Sequence, residues 1–281
     1  MIREKFPQRR FSSMTLEQVF FLPLPLPTFP VIPDSLQLLQ LVEGVSNDVI
    51  LSAMVSPSHF FLQQPTHPTY PTLAKLDMWM SVCYQDADAP SLPENVQPGS
   101  ICAAPTMGGW YRAQLVAIEE VPSEAEGAEE GELVKMCDIR FVDYGGYERL
   151  PAESLRQIKT DFMALPFQAC ECYLASVVPA PSSDENKTAD GWSMQAYSLV
   201  EDLTQAQVIQ AQVVGHAADG LPLVFLYTYS HSFGQVVHVN QELVRQGLAV
   251  WAVPEVVGEQ AEETASEENE QAADEAEAKA A

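Results

Sequence analysis

Gly108-Gly109-Trp110-Tyr111-Arg112-Ala113 and Phe141-Val142-Asp143-Tyr144-Gly145-Gly146 are the two stretches whose reading decides the fold. Each sets aromatic residues beside a glycine pair, the pattern of a strand end at a tight turn. Around them the alternation of apolar residues predicts strands over 100–104, 110–119, 134–142 and 148–151, with a further turn at 155–158. In an antiparallel meander the first and third turns share one end, so both aromatic groups collect at one rim. Rings gathered at a rim hold cations through their quadrupoles, which points to recognition rather than catalysis. The second turn faces the other way. It carries 119–132, with seven glutamates and no basic residue, and reads as a solvated hairpin tip.

The flanks are ordered too. Strands are expected over 36–55 and 58–64, followed by the turn-rich Pro65-Thr66-His67-Pro68-Thr69-Tyr70-Pro71. A helix over 73–86 comes next, with Thr72 as its N-cap and Leu73, Leu76, Met80, Cys83 and Tyr84 as its apolar face. Met78 and Trp79 flank that face, and His59 and His67 read as hydrogen-bonded core or loop histidines. Beyond the meander, 167–178 is strand-like, 179–190 a loop, and 192–203 a helix with Trp192, Ala196, Leu199 and Leu203 on one side. Strands over 208–215 and 221–229 surround the turn Asp219-Gly220. Asn240 is expected to cap a short helix containing Leu243 and Val244 that stops at Gly247, after which 248–253 returns to the core.

With 281 residues, 47% of them hydrophobic, the chain has the means to bury a sizeable core. Its net charge is -25, of which 255–281 hold ten carboxylates against Lys279. Such a surface repels phosphate backbones and attracts basic peptides. The five cysteines include no C-x-x-C pair; Cys170 and Cys172 share one face of a strand as buried thiols, so no metal site is expected and a reducing compartment fits. Asn186-Lys187-Thr188 fits the glycosylation sequon but, with no secretory signal read in the sequence, is taken as an ordinary polar loop. Arg3, Lys5, Arg9 and Arg10 stand against the single Glu4 of the first thirteen residues, and 19–33 is an apolar run broken by five prolines. That run is too short and too hostile to helix for a membrane span, and suits an extended linker. The basic start resembles an organelle-targeting segment, but the prolines deny it a long amphipathic helix, so a disordered lead-in competes with that reading. The Glu/Ala-rich 255–281 lacks apolar residues to pack and is expected to be disordered.

Ile101-Cys102-Ala103-Ala104, Trp110-Tyr111-Arg112-Ala113 and Phe141-Val142-Asp143-Tyr144-Gly145 together resemble a Tudor domain, a small bent β-barrel. The flanks extend the match to the extended Tudor arrangement, which implies a β-dominated α+β fold with a Tudor barrel inserted into a staphylococcal-nuclease-like OB fold. The implied segments are 1–34, basic then proline-rich; 36–97, the first OB part and linker helix; 98–158, the barrel; 159–254, the second OB part; and 255–281, the acidic tail. Pro65-Thr66-His67-Pro68-Thr69, Ile101 to Pro105, Val142 to Tyr147, Leu155-Arg156-Gln157-Ile158 and Leu165-Pro166-Phe167-Gln168 further resemble the C-terminal Tudor region of mitochondrial A-kinase anchoring proteins. Members of that family tether protein kinase A to the mitochondrial outer membrane and carry an RNA-binding KH domain. Neither an anchoring helix nor a KH-type Gly-x-x-Gly loop is visible before the barrel, so kinase regulatory subunits and RNA are partners only of other regions of the family.

In methylarginine-reading Tudor domains four aromatics and an Asn surround the guanidinium. By resemblance Tyr111, Phe141 and Tyr144 fall on three aromatic positions, whereas Pro105 stands where the first aromatic is expected and Gly146 where the Asn is expected. Trp110 is assigned to the barrel core. The resemblance implies a noncatalytic scaffold without cofactor or metal that takes basic or methylarginine-containing peptides, in the cytoplasm at the mitochondrial outer membrane. A germline, PIWI-binding dimethylarginine reader is one alternative. A nuclease in the OB half is another, although 160–254 contain only Arg245 and Lys187 as fixed cations for a phosphate.

Overall fold

The computed structural model describes residues 38–85, 89–122, 133–181, 188–230 and 234–252. The N-terminal segment 1–34, the acidic residues 123–132, Asn186 of the sequon and the tail 255–281 lie outside the described residues.

The meander is built as its pattern demands. Strands β3 (Ile101–Thr106), β4 (Gly109–Pro122), β5 (Leu133–Phe141) and β6 (Tyr147–Pro151) pair in sequence, and β7 (Arg156–Gln157) adds to the free edge of β3. Alternate residues Cys102, Ala104, Ala113, Leu115, Cys137, Ile139 and Phe141 point inward and enclose a core with Leu155. A register shift between Leu115 and Ala117 marks a bulge, which sharpens the bend of the barrel. The turn expected at 155–158 is therefore part strand, because Cys102 and Ala103 offer Gln157 and Arg156 an open edge.

The second unit is assembled from both sides of that barrel. Strands β1 (Ser46–Ser56) and β2 (His59–Gln63) precede it, while β8 (Cys170–Leu174), β10 (Ile209–His216) and β11 (Pro222–Ser230) follow it. They run in the order β10-β1-β2-β8-β11, and β11 pairs back onto β10, so the five strands close. The β8–β11 pair is parallel and the others antiparallel. Phe60, Leu62, Cys170, Cys172, Ile209 and Leu226 fill this OB barrel, and helix α2 (Met194–Thr204) covers it through Ala196 and Val200. The Cys170 and Cys172 sulfurs lie 3.7 Å apart on one buried face. β9 (Val177–Pro179) pairs with β13 (Ala249–Trp251), and β12 (Gln235–His238) extends β11.

Helix α1 (Tyr70–Tyr84) seals the outside of the Tudor barrel. Leu73, Leu76, Met80 and Tyr84 pack with Ala103, Phe162 and Leu165, and Trp110 and Tyr144 lean on the same cluster. Trp110 thus belongs to this outer layer, 5.4 Å from Tyr84, and not to the barrel core; its neighbour Tyr111 takes the inward phase of β4. The helix also starts earlier than expected. Thr69 is the N-cap and Pro71 occupies the first turn, where its missing N–H is harmless, so Thr72 is already helical.

Two further boundaries differ from the sequence expectation. The 167–178 stretch splits into β8 and β9 at Ser176, whose φ is +58°. Helix α3 (Val239–Arg245) has His238, not Asn240, as its N-cap. Asn240 is fully buried and does more useful work for the core: its Oδ1 accepts from the Leu226 N–H and its Nδ2 donates to the Ala175 carbonyl. Burial of a polar amide is tolerable only with such partners. Gly247 ends α3 at φ +72° as expected.

Candidate peptide-binding site

The β3–β4 and β5–β6 turns lie at the same barrel end, and each glycine pair has a steric reason. Gly145 and Gly146 have φ of +79° and +84°, a region that side chains with a Cβ rarely enter. A Cβ on Gly145 would come 2.1 Å from Cγ of Phe61, a buried β2 side chain of the OB unit. Across the rim, a Cβ on Gly109 would lie 2.9 Å from the Tyr111 hydroxyl. Tyr111 therefore folds back over its own hairpin.

Tyr111, Phe141 and Tyr144 are brought together by these turns. The Tyr111 ring stands at 88° to Phe141, centroids 6.4 Å apart, and at 89° to Tyr144, centroids 5.6 Å apart. Tyr111 and Tyr144 are half-buried, whereas Phe141 is almost wholly buried and belongs mainly to the barrel core. Pro105 sits across the hairpin from Trp110, while the cross-strand neighbour of Tyr111 is Ala104. Gly146 is buried at the end of the β5–β6 turn, directly before Tyr147. Neither position supplies a ring or an amide.

One acidic side chain joins the aromatics from outside the barrel. Asp77 of α1 accepts the hydroxyl hydrogen of Tyr144 through Oδ2. Burial, and after it the Asp77 charge, pushes the Tyr144 phenol far up; the same two causes raise Tyr111. Both phenols stay neutral donors at physiological pH. Sequence reasoning passed over Asp77. Its signal was nonetheless present, since it is four residues after Leu73 and three before Met80, where the helical period calls for an apolar side chain.

Beneath the rings lies a buried ion pair. Arg112 Nε and Nη2 donate to Asp143 at 2.8 and 2.6 Å, Nη1 donates to the carbonyls of Phe162 and Leu165, and Nη2 also donates to that of Pro166. All five guanidinium N–H groups are thereby used. The Phe167 ring lies 4.9 Å from the same guanidinium carbon. Because Asp143 precedes Tyr144 and 162–166 lead into β8, this pair fastens the aromatic turn to the OB unit.

A second polar knot spans the units. Glu171 of β8 is bonded by His59 Nε2 at 2.6 Å, by the Tyr147 hydroxyl and by Arg140 Nη1 at 2.6 Å. Burial opposes its ionisation, but hydrogen bonds from His59, Tyr147 and Arg140 together with the Arg140 charge outweigh it and bring the carboxyl down to about 2. His59 is thus a partnered histidine, as expected. Among the described residues no group of three His, Cys, Asp or Glu side chains is placed to hold a metal ion.

The geometry has known counterparts. A Tudor domain family model matches residues 41–176. The chain is 38% identical to the mouse mitochondrial A-kinase anchor protein 1 over 86% of its own length and 26% of that protein's. It is 36% identical to the Caenorhabditis elegans KH domain-containing protein akap-1 over 90% of its length and 28% of the relative's. The chain therefore spans only about a quarter of these curated relatives. Among solved structures it resembles the extended Tudor domain from BmPAPI in complex with sDMA, at 28% identity and a TM-score of 0.60, covering 74% of this chain and 99% of that one.

Proposed function

The chain belongs to the Tudor domain family in its extended form, and from that premise we propose that it is a noncatalytic interaction scaffold whose aromatic corner takes an arginine side chain from a basic peptide. The observation that carries this reading is the right-angled arrangement of Tyr111, Phe141 and Tyr144 with the Asp77 carboxylate at its side. Rings supply cation–π attraction and the carboxylate a charge-assisted acceptor. The acidic surface favours approach of basic segments. The BmPAPI domain was solved with sDMA bound, which supports an arginine-derived ligand at the corresponding end of this barrel. Calorimetric titration with single-arginine peptides, unmodified and methylated, tests the reading. Binding that disappears in Tyr144→Ala is expected, and binding unchanged by that substitution would sink the site.

The compartment is proposed on the same footing. The mouse relative is named mitochondrial, and no helix of the described residues is long and apolar enough to cross a membrane; both suit a protein held on the cytosolic face of mitochondria by other means. Proximity labelling of the intact chain beside one lacking residues 1–34 tests this. Labelling of soluble cytosolic proteins alone by the intact chain would refute it.

A further inference from the structure

We propose that the outward face of α1 is covered by this chain's own proline-rich segment 19–33, laid along the helix in an extended conformation. The helix carries the first reason. Leu73, Leu76, Met80 and Tyr84 already seal the barrel, yet the opposite side is apolar as well. Pro71, Ala74, Met78 and Val82 recur there at spacings of three and four residues, all of them exposed, Met78 by 55% and Val82 by 59%. Half-buried Trp79 and Cys83 border the stripe. Lys75 and Asp77 are the only charges of α1, and Asp77 is turned to the Tyr144 hydroxyl. A helix that is apolar on all sides is ordinarily buried on all sides. The sequence of α1 is thus that of a helix held between two layers, and the barrel supplies one of them.

The second reason is where the chain enters the fold. Leu38 bridges Phe167, and the Leu39 N–H donates to the Phe167 carbonyl at 3.0 Å. The next residue, Gln168, is hydrogen-bonded through its side chain at 3.2 Å to Thr69, the N-cap of α1. The chain therefore enters beside the first turn of that helix, and only Asp34 to Gln37 separate Leu38 from Pro33. The 15 residues of α1 are about 22 Å long, whereas the same number in an extended proline-rich chain spans about 46 Å. Segment 19–33 has the length to run along the whole helix from its N-terminal end. Its composition suits that face. It holds no charged residue, and a period of three places Phe20, Pro23, Leu26, Phe29 and Ile32 on one side. The flank of a helix offers no backbone partners, so a segment whose five prolines lack N–H groups leaves fewer donors unsatisfied there. Fixed φ angles also leave it less freedom to lose on docking.

The test is photo-cross-linking in the full chain carrying Phe29→p-benzoylphenylalanine, in dilute solution, with the product mapped by peptide mass spectrometry. The cross-link should fall on the α1 peptide that contains Met78 and Val82. Met78→Glu with Val82→Glu should lower its yield about tenfold, the factor that corresponds to about 1.4 kcal/mol of lost docking energy. The thermal melt of the folded unit should stay near the parent's, because both side chains are exposed. The reciprocal change, Leu26→Ser with Ile32→Ser, alters no residue of the described fold and should lower the same cross-link as far, so the test holds even if the helix variant misfolds. Mixing chains of ordinary and heavy nitrogen tells which copy supplies the segment. Products that join a heavy to a light peptide would mean that the face takes a second copy, and the intramolecular assignment would be wrong. No cross-link, cross-links scattered over other surfaces, or a yield that neither pair of substitutions changes would overturn the docking itself.

Discussion

Replacing Arg112 by Met tests the junction between the two barrels. The substitution keeps a long unbranched side chain on β4 but withdraws five hydrogen bonds at once. Asp143, only 3% exposed, is left without its cation and retains the Gln168 N–H at 3.3 Å. The carbonyls of Phe162, Leu165 and Pro166 lose their common donor. Removing one partner of a buried pair costs about 3–5 kcal/mol, mainly because the other charge stays buried alone. For a folded unit of this size 1 kcal/mol shifts Tm by roughly 2–4 °C, so a fall of about 6–20 °C is expected. Urea denaturation followed by tryptophan fluorescence measures the loss directly, with an unchanged m-value if both units still unfold together. Arg112→Lys should recover only part of it, since an ammonium has three donors and no planar fork. Asp143→Asn in the Arg112→Met background should cost much less than Asp143→Asn alone, a coupling of about 1–3 kcal/mol. A loss below about 1 kcal/mol for Arg112→Met, or additive behaviour in the cycle, would show that the pair does not fasten the junction.

Glu171 gives a pH signature. Its folded carboxyl lies at about 2, below the ordinary glutamate value of 4.5, so it contributes stability that is complete above pH 4.5 and lost as pH falls from there toward 2. Glu171→Gln should be less stable than the parent at pH 6 and nearer to it at pH 2.5, and a difference independent of pH would refute the assignment. Gly145→Ala should lower stability by roughly 3 kcal/mol or more, because positive φ and the collision with Phe61 act together; a thermal melt within 2 °C of the parent's, about 1 kcal/mol, would contradict the close approach. The isolated segment 98–158 lacks α1 and the 160–165 turn that cover Ala103 and Trp110, so it should aggregate or melt far below 38–252, and equal stability would overturn the interdependence of the units. Pro105→Phe with Gly146→Asn should strengthen dimethylarginine binding, the added ring by about 0.5–2 kcal/mol. Folded protein with no gain by calorimetry would mean that those two positions do not line the corner.

Local chemistry alone was enough for the meander. Glycine pairs beside Trp110-Tyr111 and Tyr144, the alternation through Cys102, Ala104, Leu115 and Ile139, and the period of Leu73, Leu76 and Met80 are properties of neighbours in sequence, and the elements appear where those patterns placed them. The order of the sequence motifs likewise specifies the extended Tudor fold that the structure carries. Boundaries at Thr69, Ser176 and His238 were less legible, because side-chain capping signals compete with burial, and at Asn240 burial won. What tertiary structure alone decided is which distant residues meet. Trp110 and Tyr111 differ by one strand phase, and only the position of α1 sends the first to an outer layer and leaves the second at the rim. Arg112 and Asp143 are 31 residues apart, Asp77 and Tyr144 67, and Glu171 is 112 from His59. No local period links such pairs. They form because the OB strands β2 and β8 close around an inserted barrel, which brings a helix carboxylate to the aromatic corner and buries an arginine beneath it.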